Sequence, residues 1–166
     1  MQKKPNFRVE SDHRPARLRS RASSAHPKRW TAEKFMRIYF TPGKDPMITD
    51  TVDGLNALAS RLAEFVSSSE AEFHVHADIS GSAKPHETLL PGITFSKSDR
   101  PILVTLDHPR GLRVSGSPEN LRLWCSHFEF PLSARDGNHH HPEQIWLDGY
   151  TDSRTLSVII EVETDD

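Results

Sequence analysis

A chain of 166 residues, 35% apolar and 27% charged, is long enough to bury one compact core and somewhat more polar than an average globular domain. Its net charge of −2 is unevenly divided: residues 1–35 hold ten Lys/Arg against three Asp/Glu, and residues 36–166 hold eleven against twenty. A single cysteine, Cys125, excludes an internal disulfide and a Cys-x-x-Cys zinc or redox pair, and no apolar run approaches the roughly 20 residues that span a bilayer. These features suit a cytoplasmic protein without a secretory signal or membrane segment.

Residues 1–35 lack helical or strand periodicity and scatter Pro5, Pro15 and Pro27 among Arg and Ser, which predicts a basic, mostly disordered arm. Such an arm could reach nucleic acid through phosphate contacts, whereas the acidic remainder would repel it. From Met36 the pattern changes. Met36, Ile38 and Phe40 alternate with Arg37 and Tyr39, the period of a half-buried strand, until Pro42, Gly43 and Pro46 interrupt it. Leu55, Leu58, Leu62 and Phe65 then recur at helical spacing, predicting a helix over about 53–67 with Thr51 as its cap. Along residues 72–79, Phe73, Val75, Ala77 and Ile79 take one face of a strand and His74, His76 and Asp78 the other. After a polar connection containing Pro85, Pro91 and Gly92, residues 102–106 read as a further strand and 107–111 as a turn.

The series then repeats: a strand over 112–115, Ser117 as helix cap, Pro118 at the first helical position, and a helix through about Phe128. Thr51, Leu55, Leu58, Ala59 and Leu62 match Ser117, Leu121, Trp124, Cys125 and Phe128 without a gap. Further on, His74, His76 and Asp78 match His139, His141 and Glu143, and Ile102 and Val104 match Leu156 and Val158. The expected architecture is α+β, with two tandem β-α-β-β units at about 36–108 and 111–163 inside one domain, 36–166. Neither unit has enough strands to bury its helix alone, so their strands are expected to share one mostly antiparallel sheet. Both helices would pack on one face, about a pseudo-twofold axis. Asn138 and His140 stand where the first copy has Phe73 and Val75, so the middle strand of the second unit is expected to be short or displaced.

Two HxH segments, each followed two residues later by a carboxylate, supply six candidate metal ligands: His74, His76, Asp78, His139, His141 and Glu143. Were the two strands neighbours, the four histidines could surround a zinc or iron, with Asp78 or Glu143 as ligand or general base. A small metal-binding protein or metalloenzyme is therefore one reading; the blander one is polar histidines on a strand face, because HxH alone has low specificity. Cys125, in register with Ala59, reads as a core filler and Trp124 as core. Trp146, beside Ile145 and Leu147, reads as a strand residue available for packing or a partner. No GxSxG elbow, GxGxxG fingerprint or GxxxxGK[ST] loop occurs, so acyl-transfer, dinucleotide and P-loop chemistry have no local support, and no catalytic residue is assigned.

The segment Val114-Ser-Gly-Ser-Pro-Glu-Asn-Leu121 with His139–His141, and Asp53-Gly-Leu55 with His74-Val-His76-Ala-Asp78, resemble the Immunity protein 32 family, one unit per half, over most of residues 47–162. Asp50 departs from the family's turn glycine, and the basic arm lies outside the resemblance. The resemblance implies a non-enzymatic cytoplasmic immunity protein of a bacterial polymorphic toxin system, which binds and neutralises a cognate toxin without a cofactor. The acidic body agrees with steering onto a cationic nuclease. Monomer and homodimer both stay open, since an exposed edge strand invites pairing.

Overall fold

The computed structural model describes residues 36–145 and 147–164; the expectations for the basic arm and for Trp146 lie outside the described residues. In chain order the elements are β1 (Arg37–Phe40), β2 (Met47–Asp50), α1 (Val52–Ser67), β3 (Glu72–His76), β4 (Thr88–Leu89), β5 (Gly92–Lys97), β6 (Leu103–Asp107), β7 (Gly111–Gly116), α2 (Pro118–Cys125), β8 (His139–His140) and β9 (Ile159–Val162). The fold is α+β, as the sequence predicts.

Both helices begin where the capping chemistry places them. The Thr51 hydroxyl accepts the Gly54 N–H at 3.1 Å, and the Ser117 hydroxyl accepts the Asn120 N–H at 3.2 Å, satisfying donors that a helix start leaves free. Leu55, Leu58, Leu62 and Phe65 of α1 and Leu121, Trp124 and Cys125 of α2 are buried, so each apolar stripe faces the core.

The strands form two mixed sheets rather than one mostly antiparallel sheet: a five-stranded sheet in the order β4-β1-β2-β9-β8 and a four-stranded sheet in the order β3-β5-β7-β6. Each contains one parallel pair, β2 with β9 and β5 with β7. The difference arises from β2 and β5, which the turn-rich flanks Pro42–Pro46 and Pro91-Gly92 conceal in the sequence.

The duplication is present, with a different unit and boundary. The β1–β2 hairpin sets Ile38 opposite Ile48, and the β6–β7 hairpin sets Val104 opposite Val114. Phe95 of β5 then lies opposite Val114 as Ile160 of β9 lies opposite Ile48. Antiparallel β3–β5 corresponds to antiparallel β8–β9. The repeated unit is therefore β-β-α-β-β, and β6 opens the second copy instead of closing the first. This corrects the match of Ile102 and Val104 with Leu156 and Val158: the counterpart of Ile102 is Met36, and the counterpart of β9 is β5. Backbone bonds follow the same symmetry. Leu90 N–H donates to the Ile38 carbonyl as Leu156 N–H donates to that of Val104, and Asp78 N–H donates to Met36 as Asp152 N–H donates to Ile102.

The two units interlock, because each sheet joins the hairpin of one copy to the last strands of the other. One core results. Ile38, Ile48 and Ile160 from the five-stranded sheet, Ile93, Phe95, Val104 and Val114 from the four-stranded sheet, and both helical stripes belong to a single cluster. Phe95, Trp124 and Phe128, all fully buried, meet edge-to-face with centroids 5.7–6.4 Å apart.

Candidate functional site

On β3 the alternation holds. Phe73 and Val75 turn toward the core, while His74 and His76 are exposed on the solvent face, their rings edge-to-face at 4.6 Å. Ile79 lies past the end of the strand and is 61% exposed, so it does not join the apolar face. A 3.0 Å hydrogen bond joins His74 Nδ1 to Thr94 Oγ1, and partial desolvation, helped by the charges of His76 and Arg110, lowers the His74 pKa. Asp78 has left the strand. Its carboxylate accepts the Ser80 hydroxyl at 2.6 Å and the Ser80 N–H at 2.8 Å, which holds it below the ordinary carboxylate range, and Arg37 Nε stands 3.6 Å away.

The second HxH segment is built differently. His140 turns inward, stacked on Phe130 at 4.2 Å with its Nδ1 2.7 Å from the His127 carbonyl oxygen. Because His140 opposes Ile160 as Phe73 opposes Phe95, His141 and not His139 is the counterpart of His74. The histidines are thus shifted by two positions from the sequence match. The shift originates after α2, which ends at Cys125 and passes through a short 3-10 turn at Ser126–Phe128 where α1 continues to Ser67. His139 is exposed, with Nδ1 3.0 Å from the Gly137 carbonyl oxygen. His141 Nδ1 lies 3.6 Å from Glu143, whose carboxylate accepts the Ser157 hydroxyl at 2.5 Å and the Val158 N–H at 3.3 Å.

β3 and β8 are edge strands of different sheets and do not adjoin each other. The arrangement in which neighbouring strands would let His74, His76, Asp78, His139, His141 and Glu143 surround one zinc or iron is not the one formed, because strand exchange puts the two segments in different sheets. Among the described residues, no three His, Cys, Asp or Glu side chains converge as a metal would require.

Two surface features remain. The first is an open groove of about 440 Å³ on the solvent face of the four-stranded sheet, lined by Glu72, His74, His76, Thr94 and Arg110 with Pro91 and Pro109. Next to its Pro91 and Arg110 the backbones approach closely: Gly111 has φ +108, and a Cβ there would run into the Gly92 carbonyl. Arg113 spans the sheet beside it, bonded to Glu72 at 2.7 Å and Asp107 at 3.1 Å. Cys125 offers no nucleophile, since burial pushes its thiol up to about 12.

The second feature, not foreseen from sequence, is on the outer face of the five-stranded sheet. Register aligns Leu89, Tyr39, Met47 and Ile159 in one row across four strands. That row faces away from the core row Ile38, Ile48 and Ile160, and none of its four members belongs to the core cluster. Leu89, Met47 and Ile159 are half-buried, and Tyr39, with the His86 ring 5.1 Å away, is buried. The neighbouring row carries Arg37, Thr49 and Glu161, with the Thr49 hydroxyl donating to Glu163 at 2.8 Å. Exposed Asp45 and Glu87 flank one end of the apolar row in the chain. Without β2, which supplies Met47, the row is not visible in the sequence.

No protein-family model, curated protein or solved structure matches this chain. Among the described residues, no helix is long and apolar enough to cross a membrane.

Proposed function

We propose that this chain is a non-enzymatic immunity protein that binds and neutralises a cognate bacterial toxin in the cytoplasm, and that it does so with the outer face of the five-stranded sheet. The observation that carries this reading is the row Leu89, Tyr39, Met47 and Ile159 beside Glu161, Glu163, Asp45 and Glu87. A sheet face turned to solvent is ordinarily polar, and an apolar centre with a charged rim is the make-up of a protein interface. Twenty acids against eleven bases in residues 36–166 would draw a cationic partner and set its orientation. The reading needs no cofactor.

The test is co-expression with the toxin domain encoded beside the gene. The wild-type chain is expected to restore growth and to co-purify with the toxin. Met47→Glu and Ile159→Glu are expected to weaken binding on the order of 10–100-fold, while Leu132→Ser, at a residue 84% exposed and not part of this row, leaves it unchanged. A toxin that stays active beside an equimolar amount of the chain would reject the function; inhibition indifferent to both glutamate variants would reject the surface.

A further inference from the structure

We infer that β3 is a self-association edge, through which two copies of this chain pair antiparallel about His74 and join their four-stranded sheets into one. Lys97 N–H donates to the Ala71 carbonyl and Ala77 N–H to that of Pro91, so the odd-numbered residues of this strand direct their backbone groups at β5. By alternation, the N–H and C=O groups of Glu72, His74 and His76 point away from the sheet. Among the described residues, the other edges are closed or too short. β6 is covered where Leu156 and Asp152 donate to Val104 and Ile102, and β4 and β8 contribute two residues each.

Among registers centred on an outward-facing residue, one complements the strand. Pairing centred on His74 sets Glu72 of each copy opposite His76 of the other on the solvent face, and Phe73 opposite Val75 on the core face. Shifting the centre to Glu72 would oppose two carboxylates, and shifting it to His76 would demand the Asp78 N–H, already bonded to Met36. The charges are held in place, since Arg113 fixes the Glu72 carboxylate at 2.7 Å. Phe73 is half-buried, stacked on Phe65 at 5.6 Å with the Arg61 guanidinium 5.1 Å from its ring centroid, and a second copy would complete its cover. Residues 72–76 include no Lys or Pro, two of the devices that keep a natural edge from pairing.

Sedimentation equilibrium on the full chain, over a concentration series reaching the submillimolar range, should show a species of twice 18.8 kDa. His74→Pro removes an N–H that points outward, so the variant should keep its circular dichroism and sediment as monomer. His76→Glu should weaken the dimer about tenfold by opposing like charges, and adding Glu72→Lys should restore it. On mild oxidation His74→Cys should form a disulfide-linked dimer and Glu72→Cys should not, because only position 74 meets itself. A chain that sediments at 18.8 kDa throughout overturns the inference. So does a dimer in which Glu72→Cys crosslinks as readily as His74→Cys, a comparison that decides the matter even if the proline variant fails to fold.

Discussion

Trp124 is wholly buried against Phe95 and Phe128, and the two helix caps hold the stripes that meet around it. Thr51→Ala and Ser117→Ala should each cost about 1 kcal/mol in chemical denaturation; Trp124→Ala should cost about 3–5 kcal/mol. Cys125, its thiol pushed up to about 12 by burial, should react with a thiol reagent only on unfolding. Desolvation lowers the pKa of both His74 and His127 from 6.5, so the unfolded chain binds their protons more tightly than the folded one. Their contribution to stability is present above pH 6.5 and is lost as pH falls through the folded values. The thermal midpoint should therefore drop on acidification just below that pH, before the carboxylates titrate, and the drop should be smaller in His127→Gln. These residue-level features were largely legible in the sequence: Cys125 in register with Ala59 marked a core position, and the hydroxyl residues before each apolar stripe marked the caps. The roles of the histidines were not, because HxH says which side of a strand they take but not which sheet holds the strand.

At the scale of elements, α1 is tied to the segment beyond α2 by one side chain that imitates a backbone bridge. Asn56 Nδ2 donates to the Phe130 carbonyl at 2.9 Å, and the Phe130 N–H donates to Asn56 Oδ1 at 2.9 Å. Asn56→Leu should cost about 1–3 kcal/mol by leaving both groups unpaired, and Asn56→Asp should also destabilise, because a carboxylate cannot donate to the carbonyl; urea denaturation midpoints would show either loss. Apolar periodicity disclosed β1, β3, α1 and α2, whose stripes span several repeats. It missed β2 and β5, strands bordered by Pro42, Pro46 and Pro91. One signal for β2 is present: Met47–Asp50 precedes Thr51 much as the strand read at 112–115 precedes Ser117. The sequence match of Ile102 and Val104 with Leu156 and Val158 points ahead of β9, to a segment that instead runs beside β6 through the Leu156–Val104 bond.

For the whole molecule, the duplication was visible in the order of caps, stripes and histidines, but its interlocked form was not, because sequence repetition does not say whether a unit pairs with itself. Here the parallel pairs β2–β9 and β5–β7 join the copies in both sheets. Neither unit has a core of its own, so the described fold should open as one cooperative body. Native-state hydrogen exchange on the full chain tests this most directly, read at Ile48 and Phe95 of the first unit and at Val114 and Ile160 of the second. An interlocked duplication predicts that the four amides exchange with free energies within about 1 kcal/mol of one another and of global unfolding. Protection lost together at Val114 and Ile160 while Ile48 and Phe95 stay protected, or the reverse, would contradict it.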